Sequence, residues 1–281
     1  ISAFDAVLIN AYASPNGLAQ SLSRPVGAAE TAVDFKLFHR GGPAPLSDVM
    51  PMLEDAGLRI LSETPSKVCP EGADPVWIHH FEAETATGCT IDIADVRDRF
   101  HDGFAAIWHG KAESDSLNQL ILSAGLTWRQ ASLLRAFSRY LRQAGANFSI
   151  EYMEDTLNGN PEIARLIATY FEARFDPAHA NEIAAAAARQ GLLAALDNVS
   201  SLDEDRILRR FLNLADAALR TNFWQKAADR GPKDYLSIKF DSAKIDELPL
   251  PRPMAEIFVY SPRMEGVHLR GGKVARGGLR W

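Results

Sequence analysis

Hydrophobic and polar positions along the chain change period several times. Over residues 2–13, Phe4, Val7, Leu8 and Ala11 recur at helical spacing, and the Pro/Gly/Ser-rich stretch from Ser14 to Gly27 reads as a loop. Val33, Phe35, Leu37 and His39 then alternate with the other face over residues 32–39, as in a half-buried strand that ends at Arg40-Gly41-Gly42-Pro43. Ser47 is expected to cap a helix running to Ala56, with Val49, Met50, Met52, Leu53 and Ala56 as its apolar stripe and Gly57 as its stop; Pro51 falls near the first turn. Residues 58–63 form a strand, a Pro/Cys/Gly loop follows, and residues 76–83 form another. A helix from Ala94 to His109 then carries Val96, Phe100, Phe104, Ile107 and Trp108 near one face. The order β-α-β-β-α is a ferredoxin-like sandwich without an obvious final strand, which makes the first domain α+β.

From Glu113 to about Ala228 no comparable strand pattern occurs, and helix starts are written plainly. Thr127-Trp-Arg-Gln130 and Ser201-Leu-Asp-Glu204 are capping boxes, and Asn160-Pro161 and Asp176-Pro177 are N-cap and first-turn pairs. With starts near Ser114 and Ser149 these predict about six helices in an all-α, bundle-like region, where Ala184 to Ala188 would make a close helix contact. After Gly231-Pro232 the chain alternates again over Tyr235–Phe240, Ala255–Tyr260 and Val267–Arg270, with a turn at Ser261-Pro262-Arg263. The pattern therefore divides the chain into an N-terminal helix and linker (1–31), an α+β domain (32–112), a helical domain (113–230) and the first strands of a further domain (231–281).

Composition removes several classes. A chain of 281 residues with 47% hydrophobic and 23% charged side chains can bury one large or two modest cores, so disorder is excluded as the dominant state. Cys69 and Cys89, with no Cys-x-x-Cys, exclude a disulfide scaffold and a thiolate zinc site, and fit a reducing, cytoplasmic compartment. No apolar run approaches the roughly 20 residues needed to cross a bilayer. The Ile-Ser-Ala-Phe start, without Met or a signal pattern, and the end at Gly-Gly-Leu-Arg-Trp are expected for a fragment. The net charge of −6 hides a polarity: the residues from Arg252 onward hold six Lys/Arg and two Asp/Glu. A basic end on an acidic body suits a small anion better than nucleic acid, which calls for a broad basic face.

The strongest chemical signal lies in that basic end. Leu269-Arg-Gly-Gly-Lys-Val-Ala-Arg-Gly-Gly-Leu-Arg-Trp281 interleaves two Gly-Gly pairs with Arg270, Lys273, Arg276 and Arg280. Glycine lets backbone approach a ligand closely and the cations can hold a carboxylate, so the segment reads either as an anion site or as a solvated basic loop. It is neither a phosphate-binding Gly-Lys-Ser/Thr loop nor a Gly-x-Gly-x-x-Gly dinucleotide turn. Other candidates carry less. His79 and His80 are adjacent in a strand and point to opposite faces, so they do not chelate together; no metal site is expected. His101 and His109 have no acidic partner at ligand spacing. Glu151, Glu154 and Asp155 sit near a helix start, which favours negative charge, and Trp108, Trp128, Phe137 and Tyr140 read as core.

Ile257-Phe-Val-Tyr-Ser-Pro-Arg263 followed by Met264-Glu-Gly-Val-His-Leu-Arg-Gly-Gly-Lys-Val-Ala-Arg-Gly-Gly-Leu-Arg-Trp281 resembles the start of the catalytic domain of the large-type bacterial NAD-specific glutamate dehydrogenases. Pro45-Leu-Ser-Asp-Val-Met-Pro-Met-Leu-Glu-Asp-Ala-Gly-Leu-Arg-Ile60 and Trp77-Ile-His-His-Phe81 resemble their last regulatory, ACT-like domain. The resemblance implies oxidative deamination of L-glutamate to 2-oxoglutarate and ammonia, with NAD as the cofactor of the parent enzyme. The superfamily motif Lys-Gly-Gly-Ile/Leu-Arg, whose lysine contacts the substrate's side-chain carboxylate, falls on Arg276-Gly277-Gly278-Leu279-Arg280, with arginine in place of lysine. Arg276 is thereby implied as a substrate ligand, Gly277 and Gly278 as permitting close approach, Arg280 as mainly structural, and Lys273 as a further substrate-side cation. The family's catalytic residues and nucleotide domain are expected beyond Trp281. That leaves this portion without catalytic residues or bound cofactor, and with a regulatory or structural role. An amino-acid effector at the Arg40–Pro43 loop and homo-oligomerisation through the ACT-like domain are also implied, and neither nucleic acid nor membrane is an expected partner.

Overall fold

The structure is a computed structural model and describes residues 18–72, 74–228, 230–273 and 277–280; the helix expected over residues 2–13 lies outside them. The chain divides into two compact units: residues up to 109 with 114–128, and residues 110–113 with 129–281.

In the first unit β1 (Leu18–Ser23), β2 (Ala32–Arg40), β3 (Leu58–Val68) and β4 (Val76–Thr85) form an antiparallel sheet of order β1-β2-β4-β3. Helices α1 (Leu46–Asp55) and α2 (Ile93–Trp108) supply the rest. Val33, Phe35, Leu37, Phe81 and Ala83 point to one face and are buried with Val49 and Leu53 of α1 and Phe100 and Phe104 of α2. The Phe35 ring lies 5.6 Å from Phe100 and 5.1 Å from Phe104. Asp92 caps α2 by accepting the Ala94 amide at 2.9 Å. A short 3₁₀ turn (Ser116–Gln119) and α3 (Leu120–Ser123) add Ile121 and Leu122 to the same core.

Three expectations change in this unit. The sandwich does have its fourth strand, but on the amino-terminal side. The stretch assigned to a loop contains β1, which pairs with β2 from Leu18 opposite His39 to Ser23 opposite Asp34. Ser47 does not cap α1: the cap position falls two residues earlier, on Pro45, and the Ser47 hydroxyl bonds Asp48 instead. The strand at 58–63 continues through Pro65 to Val68, which is tolerated because β3 is a sheet edge and one side of its backbone needs no partner. Gly57 does end α1, at φ +87, and a Cβ there would lie 3.0 Å from the Gln119 Cβ.

The second unit contains α4 (Trp128–Ala144), α5 (Ile150–Gly159), α6 (Pro161–Phe175), α7 (Glu182–Leu196) and α8 (Leu202–Ala217). Its sheet is β5 (Ala218–Thr221), β6 (Leu236–Phe240), β7 (Ala255–Ser261), β8 (Met264–Arg270) and β9 (Gly277–Arg280), antiparallel and in sequential order. Ser149 and Ser201 cap α5 and α8 through the amides of Tyr152 and Glu204, and Pro161 opens α6. Asp176-Pro177 does not start a helix: Asp176 accepts the Ala178 amide at 2.9 Å and contacts the His179 ring at 2.9 Å, an Asx-type turn, and α7 begins later behind Asn181. Within the alanine run only Ala185 is buried, yet α7 packs closely along α6, with Ala185 and Ala186 beside Tyr170 and Ala173. No described helix is long and apolar enough to cross a membrane.

Candidate functional site

The β5–β9 sheet has two unlike faces because side chains alternate along each strand. Leu236, Ile238, Phe240, Glu256, Phe258, Tyr260 and Val267 face inward and are buried. Helix α4 lies against them: the Tyr140 ring is 4.7 Å from Phe240 and 5.5 Å from Phe258, and Phe137 is 6.2 Å from Phe240. Polar contacts fix this floor. The fully buried Glu256 accepts the Tyr140 hydroxyl at 2.6 Å. Glu113 accepts Tyr260 at 2.8 Å and Arg139 at 2.8 Å, and Gln143 donates to Glu265 at 3.0 Å. Arg139 is partly desolvated, which lowers its pKa, but Glu113 and Glu265 outweigh this and the net shift is upward.

The opposite face is open, and Arg220, Ser237, Lys239, Ile257 and Arg270 line a cavity of about 400 Å³ on it. Register assembles them: Arg220 pairs with Lys239, Lys239 with Ile257, and Arg270 stands on the next strand. Asn222 holds the rim by accepting the Ser237 amide at 2.7 Å and donating to the Tyr235 carbonyl at 3.2 Å. Sequence reasoning had no signal for Arg220 or Lys239, because their grouping with Arg270 arises only from strand pairing.

The glycine-rich segment adjoins this face. Gly277, Gly278, Leu279 and Arg280 form β9, opposite Arg270, Leu269, His268 and Val267 in that order. A Cβ on Gly278 would have no atom within 4 Å, so open space lies beside the backbone there. Lys273 is exposed, and its carbonyl accepts the Arg270 guanidinium at 3.3 Å. Arg276 lies outside the described residues, as does the side chain of Arg280.

In the first unit, Gly41 has φ +91, and neither Gly41 nor Gly42 has an atom within 4 Å of its Cβ position. This loop is anchored from below. The Ala44 amide donates to His79 Nε2 at 3.1 Å, so the ring proton sits on Nδ1 and is donated to Glu63 at 2.8 Å. His79 is buried, while His80 points to the other face and meets Asp34 at 3.4 Å, the opposed geometry expected of adjacent strand residues. Glu151 lies in the first turn of α5, where its own amide and Ser149 hold its carboxyl below the usual range. His101 is lowered, first by burial and then by Arg97. Among the described residues no three His, Cys, Asp or Glu side chains gather as a metal site would need.

Three family descriptions match in sequence order: glutamate dehydrogenase ACT3 domain over residues 17–96, glutamate dehydrogenase helical motif 3 over 112–177, and bacterial NAD-glutamate dehydrogenase catalytic domain over 191–281. The NAD-specific glutamate dehydrogenase of Halomonas elongata is 46% identical over 267 residues, which is 94% of this chain and 16% of that protein. The protein of the same name from Pseudomonas aeruginosa is 45% identical over 269 residues, 94% of this chain and 17% of its own length. That from Mycobacterium tuberculosis is 45% identical over 253 residues, 87% of this chain and 16% of its own length. The chain thus spans about one sixth of these relatives. With its ACT3, helical-motif and catalytic-domain matches following one another in a single order, the chain belongs to the bacterial NAD-specific glutamate dehydrogenase family.

Proposed function

We propose that this chain is part of an enzyme that oxidises L-glutamate with NAD and water to 2-oxoglutarate, ammonia and NADH, and that within it this portion is regulatory and structural, contributes one wall of the substrate site, and is inactive alone. The supporting observation is identity of 45–46% across nearly the whole chain to proteins named for that activity. In this reading residues 32–112 are the ACT-like domain, 113–230 the helical domain and 231–281 the beginning of the catalytic domain. Arg276 holds the side-chain carboxylate of glutamate. Its planar fork meets both carboxylate oxygens, a bidentate contact that a lysine cannot make. Gly277 and Gly278 keep the β9 backbone bare so that the substrate can lie against it, with Lys273 on the substrate side and Arg280 supporting the strand.

The residues present do not fit NAD. Both sheets are antiparallel throughout, whereas a dinucleotide lies across the crevice of parallel βαβ units and a glycine turn at a helix start. The decisive experiment follows NADH formation from glutamate with the whole parent polypeptide, its Arg276→Met variant and this chain alone. Glutamate-dependent reduction by the parent, a raised glutamate KM in the variant and silence of the chain are expected. A parent that reduces no NAD, or a variant with unchanged KM, overturns the reading.

The open Gly41–Gly42 loop supports a second reading, an amino-acid-sensing or oligomerisation module built on the ACT-like domain. Calorimetry of the chain with a panel of amino acids tests the sensing part, and heat from none of them removes it.

A further inference from the structure

The open face of the second sheet carries positive charge that the fold does not neutralise. Arg220, Lys239 and Arg270 come from three different strands, and among the described residues no Asp or Glu lines the cavity they share. Arg220 and Lys239 have neither an ion pair nor a side-chain hydrogen bond among the described residues. Among the described residues the Arg270 Nε is buried without a partner, and its outer nitrogen reaches the Lys273 carbonyl. Grouping cations in this way costs energy through mutual repulsion, and a partly buried guanidinium nitrogen without an acceptor costs more. An anion in the cavity removes both costs together. The neutral lining agrees with that sign. Asn222 is committed to the backbone of residues 235 and 237, whereas the Ser237 hydroxyl and the Gln225 amide are uncommitted among the described residues and can donate. The cavity, about 400 Å³, is in the size range of sites for small organic molecules and exceeds what a single ion needs. Ile257 and Tyr235 give it an apolar patch for a carbon or phosphoester linker.

We propose that this cavity binds a small molecule bearing two oxyanion groups, held by Arg220 and Lys239 at one end and Arg270 at the other. The shared chemistry is that of a dicarboxylate or a diphosphate. The proposal is carried by Arg220, Lys239 and Arg270 and does not rest on the Arg276 contact proposed above.

Calorimetry of the 281-residue chain at low ionic strength, with 2-oxoglutarate in one arm and inorganic pyrophosphate in the other, tests this. Lys239→Gln and Arg270→Gln are the site variants, and Lys244→Gln, an exposed lysine outside the cavity, is the control. Saturable binding of at least one probe is expected, weakened about tenfold or more by either site variant, as loss of a charge-assisted contact implies, and unchanged in the control. Neither site variant should melt below the parent, since removing one of the grouped cations relieves their repulsion, so that lost binding would not reflect unfolding. Response to the dicarboxylate alone or to the diphosphate alone identifies the source. The inference is overturned if neither probe saturates, or if Lys239→Gln and Arg270→Gln bind like the parent. Arg276→Met should bind normally. If it alone loses binding, the anion belongs to the glycine-rich motif; this inference then fails while the proposed function stands.

Discussion

Replacing Gly103 by alanine sets two opposed effects against each other within one helix turn. Gly103 lies inside α2, where alanine is favoured over glycine by about 1 kcal/mol through the smaller backbone entropy lost on folding. A Cβ at this position would however stand 2.6 Å from the Cδ1 of Ile121, far inside contact distance, with Trp128 Cβ at 3.8 Å. Ile121 is 2% exposed and cannot swing into solvent. Relief requires an off-rotamer side chain or a small helix displacement, at about 1–3 kcal/mol. The crowding wins, and Gly103→Ala is expected to destabilise the first unit by up to about 2 kcal/mol. Ile121→Val removes the offending methyl and leaves Cγ1 at 3.9 Å from the new Cβ, an ordinary contact. In that background the same Gly103→Ala change should stabilise by up to about 1 kcal/mol, a reversal of sign that a double-mutant cycle reads directly. Because the chain has two units, a global melt mixes their transitions, so hydrogen exchange of the slow α2 amides across a urea series is the suitable assay. A stabilising Gly103→Ala in the parental background, or the same sign in both backgrounds, refutes the reasoning.

Two further predictions concern polar anchors. Asp216 accepts Tyr170 at 2.6 Å and Arg189 at 2.8 Å; burial acts to raise its pKa, but the Arg189 and Tyr170 hydrogen bonds outweigh it and the net shift is downward. Its contribution is therefore present above the ordinary carboxylate pKa and is lost as pH falls through the lowered value. Asp216→Asn should cost about 1 kcal/mol at neutral pH, a modest figure because Arg189 is partly exposed, and the difference should shrink in urea titrations as the pH falls below the ordinary carboxylate range. His79→Phe leaves the Ala44 amide and Glu63 without their ring partner; it should destabilise the first unit by about 2 kcal/mol and speed exchange of the Ala44 amide, and unchanged exchange there would show that the ring does not anchor the loop.

What could be read from the chain follows how locally each feature is encoded. Ser149, Ser201 and Gly57 announce helix ends because a cap involves only neighbours in sequence. The strand β1 stayed hidden because in Leu18-Ala-Gln-Ser-Leu-Ser its buried residues, Ala19 and Leu22, are three apart and do not alternate, and a Pro/Gly-rich flank resembles a loop. Asp176-Pro177 misleads because an Asx turn and an N-cap use the same side-chain oxygen for the same kind of amide. The glycine and arginine motif was legible by resemblance. The cavity beside it was not, since Arg220, Lys239 and Arg270 are 19 and 31 residues apart in sequence and meet only through the pairing of strands.

That pairing has a consequence for which lengths the chain can tolerate. Glu256 and Ile257 are neighbours on β7, one sealed in the core and the other on the cavity wall. Adding or deleting a single residue in β7 would exchange their faces, placing a carboxylate among the cations and an isoleucine side chain where the Tyr140 hydroxyl needs an acceptor. The sign of the charge on this surface is thus a parity property of the strand: β7 can gain or lose residues in pairs, but a change of one turns a basic cavity into a self-neutralised one.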